Sequence, residues 1–216
     1  MTDAEILRHI DYTLLKPTAV WADIRRLCED AVKLKTASVC VPACFVKRIK
    51  EEFGDSLNIC TVIGFPLGYS VTEAKVLEAK QAISEGASEI DMVINVNAAK
   101  DGNFAGITKE IKALREATKG HVLKVIIETC YLNEDEKIAL CNCVTEAGAD
   151  YIKTSTGFGT AGATFEDVKL FKEHVGKNVK IKAAGGIRKR EDMEEYIKIG
   201  ADRIGASSVN FVSVRD

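Results

Sequence analysis

The chain has 216 residues, of which 46% are hydrophobic and 29% charged, with a formal net charge of −2. That length allows one sizeable core and is short for two, and the near-neutral balance gives no reason to expect nucleic acid or an anionic membrane as a partner. No apolar run approaches the roughly 20 residues of a membrane span, and the acidic segment 1–16 lacks the basic and apolar regions of a signal peptide.

Apolar, β-rich runs alternate with amphipathic helical patterns along the whole chain. The runs are 10–15, 38–42, 59–65, 89–96, 122–129, 151–154, 179–184 and 203–206, and they are Val/Ile-rich rather than strictly alternating. Strands covered on both faces read this way. Between them, Ile107, Ile111 and Leu114 recur at i, i+4, i+7, and Val168, Phe171 and Val175 at i, i+3, i+7, which predicts helices. Ser70-Val-Thr-Glu73 has the form of a capping box, and Thr164-Phe-Glu-Asp167 is a weaker version.

Gly86-Ala87-Ser88, Gly148-Ala149-Asp150 and Gly200-Ala201-Asp202 each close a helix and open the next run. Glycine suits the left-handed position that ends a helix, so the same joint marks a repeated αβ unit. Eight such units without a linker predict an α/β chain, a (β/α)8 TIM barrel forming a single domain over residues 1–216. The competing architecture, an open doubly wound sheet, would more often carry a glycine fingerprint after its first strand, and the segment 11–17 has no glycine.

The seven cysteines are odd in number and mostly sit inside apolar runs, as reduced thiols packed like small hydrophobes do. Cys40-x-x-x-Cys44 and Cys141-x-Cys143 lack the second pair of a structural zinc site, and His9, His121 and His174 are scattered. A cytoplasmic protein without metal or cofactor is the expectation.

Strand parity exposes a conflict. If Ile90, Met92, Val125, Ile127, Ile152 and Ile181 face the helices, the barrel interior receives Asp91, Asn95, Lys124, Glu128, Lys153 and Lys182. Buried charges cost several kcal/mol per ion unless paired, so such a set is either a structural ion-pair network or a site. Lys124 and Glu128 could serve the first role alone. Lys153 and Lys182 come late on neighbouring strands, near the C-terminal face where barrel active sites are built. A second cation and partial burial disfavour the protonated form of a lysine, which makes it a nucleophile for imine formation. Asp91 could hold Lys182 and relay protons.

Gly185-Gly186-Ile187-Arg188 follows the seventh run, and Gly205-Ala206-Ser207-Ser208 follows the eighth. Those loops are the recurring phosphate site of such barrels. Thr154-Ser155-Thr156-Gly157 adds hydroxyls on the same rim. Pattern alone therefore points to an imine-forming barrel enzyme acting on a phosphorylated carbonyl compound.

The residues Ile10-Asp-Tyr-Thr-Leu-Leu-Lys-Pro17, Glu89-Ile-Asp-Met-Val-Ile-Asn95, Lys124-Val-Ile-Ile-Glu-Thr129, Tyr151-Ile-Lys-Thr-Ser-Thr-Gly157 and Ile181-Lys-Ala-Ala-Gly-Gly-Ile-Arg188 resemble the short bacterial type of deoxyribose-phosphate aldolase over nearly the whole chain. The resemblance implies reversible cleavage of 2-deoxy-D-ribose 5-phosphate to D-glyceraldehyde 3-phosphate and acetaldehyde. It implies that Lys153 forms the imine, that Lys182 lowers its pKa, and that Asp91 joins in proton transfer. Gly185, Gly186, Ser207 and Ser208 match phosphate-binding positions, and Asp11, Cys40 and Thr156 match positions lining the pocket. The implied partners are a small-molecule sugar phosphate and acetaldehyde. Sequence is silent on assembly, and because barrels of this type commonly pair through outer helices a homodimer is the expectation.

Two departures stand out. Tyr12 replaces the histidine usual in the first motif, and parity turns it away from Asp11, so a packing change is expected. Many members also end in a tail with a tyrosine that assists proton transfer; here the last tyrosine is Tyr196. Either the chain is truncated or it manages without the tail, with reduced turnover as the expectation. The alternatives are a sugar-phosphate-binding barrel with a different lysine-dependent reaction and a catalytically weakened binding protein.

Overall fold

Eight parallel strands close on themselves in chain order in the computed structural model, which describes residues 1–211. The strands are β1 (Ile10–Thr13), β2 (Ser38–Val41), β3 (Ile59–Ile63), β4 (Glu89–Val93), β5 (Val122–Ile126), β6 (Tyr151–Lys153), β7 (Lys180–Ala184) and β8 (Arg203–Ala206). Closure comes from β1 against β8, with Asp11 opposite Gly205. The helices are α1 (Asp3–Leu7), α2 (Trp21–Leu34), α3 (Val46–Phe53), α4 (Thr72–Ser84), α5 (Val96–Lys100), α6 (Phe104–Ala117), α7 (Glu134–Ala147), α8 (Phe165–His174) and α9 (Arg190–Lys198). All eight expected strands and the (β/α)8 TIM-barrel architecture are present.

The strands have two chemically different faces. Ile10, Val39, Val41, Ile59, Ile90, Met92, Val125, Ile152, Ile181 and Ile204 point outward and merge with Ile24, Leu27, Ile107, Ile111, Leu114 and Phe171 of the helices into one apolar layer. Burying each such side chain contributes roughly 1.5–3 kcal/mol. The inward residues Cys40, Cys60, Asp91, Lys124 and Lys182 are equally buried but lie outside that layer. Stability is thus concentrated between strands and helices, which leaves the barrel interior open to polar chemistry.

The repeated joint is a hydrogen-bonded motif. Gly86, Gly148 and Gly200 have φ of 112°, 71° and 119°, and each donates its N–H three residues back, to Ile83, Thr145 and Ile197. The alanine that follows donates five residues back in every case, to Ala82, Val144 and Tyr196. The next residue then joins the preceding strand: Ser88 to Ile59, Asp150 to Leu123 and Asp202 to Ile181. A fourth copy occurs after α2, where Lys35 adopts φ 55° in place of glycine, Thr36 donates to Ala31 and Ala37 to Ile10.

Two local expectations differ, at Ser70 and Asn95. Ser70 does not cap α4, because the helix begins at Thr72 with Val71 as its extended N-cap and no side-chain cap bond. Thr164 does cap α8, accepting from the Asp167 N–H at 3.0 Å. Asn95 lies beyond the end of β4, half-buried, and caps α5 by accepting from the Ala98 N–H at 3.3 Å, so it is not one of the interior polar residues. Tyr12 is turned outward and packs half-buried against the apolar layer, as parity required. The expectation about the chain's last residues concerns 212–216, which lie outside the described residues.

One buried pair had no sequence signal. Lys75 of α4 is fully buried, donating to the Val93 carbonyl and to Glu110 Oε1 of α6, both at 2.8 Å. Burial pushes its amine below the ordinary lysine value, and Glu110 partly restores it. The pair ties two outer helices to the end of β4.

Lys35 occupies a left-handed conformation that costs a side-chain-bearing residue about 1–2 kcal/mol, against about 0.5–1 kcal/mol for the extra chain entropy of glycine. Lys35→Gly is expected to stabilise the fold by about 0.5–1 kcal/mol, measured by urea denaturation.

Candidate active site

The interior polar residues condense into one network centred on Asp91. Its Oδ1 accepts from Lys124 Nζ at 2.8 Å and from the Cys60 thiol at 3.1 Å. Its Oδ2 accepts from Lys153 Nζ at 2.8 Å and Lys182 Nζ at 2.7 Å. Strand register makes this possible: Asp91 lies opposite Lys124, and Lys153 opposite Lys182. Lys182 also meets Asp11 Oδ2 at 2.5 Å, and Lys124 meets Glu89 at 2.6 Å. Arg203 bonds to Asp11 and to Glu89, and Ser38 Oγ donates to Asp11 Oδ1 at 2.8 Å.

Burial alone would raise the Asp91 carboxyl, but Lys124, Lys153 and Lys182 outweigh it and hold it well below the ordinary carboxylate range. Burial likewise works against Asp11, which Lys182, Lys124 and Arg203 hold low. Burial opposes charge on Lys182 and Lys124 too, yet their carboxylate partners raise both above the usual lysine value. Both therefore remain cations. Three carboxylates (Asp11, Glu89, Asp91) are matched by Lys124, Lys182 and Arg203, which makes Lys153 the fourth cation of the network.

Above the network, at the C-terminal ends of the strands, opens a cavity of about 350 Å³. Lys153, Thr156, Gly157 and Phe158 form one wall, with Gly185, Gly186 and Arg188 on another and Leu14, Lys16, Gly205 and Ser207 on a third. Gly185 and Gly186 have φ of 91° and 77°. A Cβ on Gly185 would lie 2.9 Å from the Gly162 Cα, so this loop and the 157–163 loop touch backbone to backbone. The glycine loop, the Ser207 hydroxyl and the side chains of Lys16 and Arg188 give that end of the cavity the character of an anion site.

Most of the expected site residues come together here. Lys153 joins the network to the cavity, and Thr156, Gly185, Gly186 and Ser207 line the cavity with it. Lys182, Asp91, Asp11 and Cys40 are fully buried beneath it and are not among the lining residues, nor is half-buried Ser208. Glu128 is buried but, among the described residues, pairs with no cation; it accepts from the Thr156 N–H at 3.0 Å and from the Thr156 hydroxyl. Glu89, Arg203, Cys60 and Lys16 join the site without being among the expected residues. Extending the parity of Asp91 back two residues gives Glu89, and applying parity to β8 gives Arg203.

The fold also assembles ligand-type atoms that spacing did not reveal. Those of Cys40, Cys60 and Asp91, and those of Asp11, Cys60 and Glu89, lie within 4.8 Å of one another. The Lys124 ammonium already fills the cation position among them, 2.6 Å from Glu89, 2.8 Å from Asp91 and 3.2 Å from the Cys60 sulfur.

Residues 7–211 match the family model of the DeoC/LacD family aldolases. The chain belongs to this family. Among family relatives, the deoxyribose-phosphate aldolase of Clostridium botulinum (strain Alaska E43 / Type E3) is 60% identical over 207 residues, covering 96% of this chain and 94% of its own. That of Clostridioides difficile (strain 630) is 57% identical over 204 residues, covering 94% and 93%. The structure of deoxyribose phosphate aldolase from Aeropyrum pernix, described as a unique tetramer, superposes with a TM-score of 0.90 at 30% identity, covering 95% of this chain and 88% of that one. An aldolase designated QR15 superposes with a TM-score of 0.90 at 40% identity, covering 94% and 91%.

Removing one partner of a buried ion pair typically costs about 3–5 kcal/mol. Asp91→Asn is expected to lose at least that much by urea denaturation at neutral pH. Carboxylates held low contribute stability that is present above their unfolded value, about 4, and lost as pH falls through the folded one. Lysines held high lose theirs only as pH rises past about 10.4. The stability gap between wild type and Asp91→Asn should therefore be flat between about pH 5 and 9 and shrink below about pH 4.

Proposed function

We propose that this chain reversibly cleaves 2-deoxy-D-ribose 5-phosphate to D-glyceraldehyde 3-phosphate and acetaldehyde through a Schiff base on Lys153. One observation carries the reading: of the three lysines bound to Asp91, Lys153 alone also lines the cavity. Lys124 and Lys182 are sealed beneath it and locked to carboxylates, and neither reaches an incoming carbonyl.

Charge count within the Asp91 network also favours Lys153 as the nucleophile. With its amine free, Lys124, Lys182 and Arg203 remain against Asp11, Glu89 and Asp91. The free amine attacks the C1 aldehyde, the carbinolamine loses water, and a protonated imine stands at the end of β6. Cleavage breaks the C2–C3 bond, with the C3 hydroxyl giving up its proton and the bonding pair passing through C2 to the imine nitrogen. The enamine is then protonated at C2, and water releases acetaldehyde from Lys153. Asp91, with Lys182 bonded to the same oxygen, is the adjoining proton relay. The C5 phosphate would sit against Gly185, Gly186, Ser207 and Ser208, with Lys16 and Arg188 beside it. Asp11 holds Lys182, and Cys40 packs beneath the floor.

We further infer a homodimer in the cytoplasm. All seven cysteines are unpaired, which suits a reducing compartment, and among the described residues no helix is long and apolar enough to cross a membrane. Outer helix α4 exposes Leu77, and its N-cap Val71 is exposed as well. Sedimentation equilibrium is expected to give twice the chain mass, and Leu77→Glu to weaken the association; a monomer at all concentrations would rule the dimer out.

Borohydride trapping with acetaldehyde tests the chemistry. The expected product is an irreversible adduct on the peptide containing Lys153, absent from Lys153→Ala, which should also lose cleavage of the sugar phosphate. An adduct mapped to Lys124 or Lys182, or none at all, would overturn the assignment.

A further inference from the structure

Glu128 is a buried carboxylate that the chemistry above does not use. It follows β5 at φ 56° and ψ 66°, a left-handed conformation rare for a residue with a side chain. Strand pairing continues on both sides of it, with Ile127 donating to the Lys153 carbonyl at 3.1 Å and Thr129 to the Thr154 carbonyl at 3.0 Å. The strained residue therefore sits just past the end of β5, as an extra residue between two backbone bonds to consecutive carbonyls, beside the residues that follow Lys153. Its carboxylate receives both the N–H and the hydroxyl of Thr156.

The consequence lies in how the Thr156 hydroxyl is oriented. A hydroxyl has one proton to donate and two lone pairs to accept with. A carboxylate only accepts, so Thr156 spends its proton on Glu128 Oε2. The Phe158 N–H, which can only donate, takes one lone pair at 3.0 Å. What Thr156 has left for the cavity is one lone pair and no proton. Its other neighbours on the cavity wall, Gly157 and Phe158, offer no side-chain hydrogen bond.

We propose that Glu128 is a positioning residue that sets the polarity of Thr156, so that the cavity reads a hydroxyl on the substrate chain as a hydrogen-bond donor. The inference rests on the aldolase reading and deepens it. The group read is the 2-hydroxyl of the glyceraldehyde phosphate half, between the imine at Lys153 and the phosphate at the glycine loop. Acetaldehyde, which has no hydroxyl, does not use the contact.

The experiment compares three aldehydes on the same protein samples. Imine formation is measured by borohydride trapping with acetaldehyde. Aldol addition of acetaldehyde is measured as kcat/KM for glyceraldehyde 3-phosphate and for its 2-deoxy-2-fluoro analogue. Fluorine can only accept, so the wild type should favour the hydroxyl acceptor by about 10- to 100-fold. In Glu128→Gln the amide donates to Thr156, whose proton turns into the cavity. The hydroxyl-to-fluorine ratio should then fall to within about threefold of unity, with acetaldehyde trapping unchanged. Thr156→Val should lose the preference and Thr156→Ser keep it. A wild type that does not separate the two acceptors would overturn the proposal. So would a Glu128→Gln protein that slows both equally, since a merely structural role lowers rates without changing the ratio. Loss of trapping in Glu128→Gln would also overturn it, whereas no adduct in the wild type would instead remove the aldolase reading beneath it.

Discussion

The carboxylate of Asp91 is the point on which the interior of this barrel depends. Its two oxygens serve three ammonium groups and a thiol, from four different strands. Without it, three lysines would converge at the barrel axis with only Asp11 and Glu89 to oppose them. The ordinary solution for a small barrel is to fill its axis with layers of branched apolar side chains. Here the axis is ionic, and the apolar layer between strands and helices bears the stabilising load.

Most of this arrangement could be read from the chain because the strands alternate cleanly where it matters. Ile90 and Met92 bracket Asp91, and Val125 adjoins Lys124, so parity alone delivered the three lysines and their acid. It failed where strands end early. Asn95 and Glu128 kept the right parity but lie past the last residues of β4 and β5, where the backbone turns and alternation loses its meaning. Glu89 and Arg203 escaped because charged residues at strand starts are so often solvated that they carry little signal. Lys75 was invisible for a different reason: a lysine in an amphipathic helix is normally exposed, and only the tertiary meeting of α4, α6 and β4 buries it. Lys35 hid a fourth copy of the helix-ending joint because the conformation is the same while the residue is not glycine.

The ion network and the cavity above it divide the work by depth. At the bottom, Lys124 and Arg203 are each held by two or more carboxylates, so their role is to hold charge in place. Lys182 sits between, shared by Asp11 and Asp91. Lys153 is uppermost and is the surplus positive charge. A gradient from locked to surplus cations means that the least compensated group is the one facing the cavity.

Gly162 and Gly185 meet backbone to backbone, with no room for a Cβ on either: one on Gly162 would lie 2.1 Å from the Gly185 carbonyl oxygen. The Ala163 N–H also bonds to the Ala184 and Gly185 carbonyls. That flank of the cavity is sutured shut. Elsewhere the mouth is bordered by exposed residues of several loops, among them Lys16, Phe158, Arg188 and Ser207. Two of these are cations, so a phosphorylated molecule meets positive charge at the mouth as well as at the glycine loop. The rim, and not only the pocket, favours what reaches Lys153.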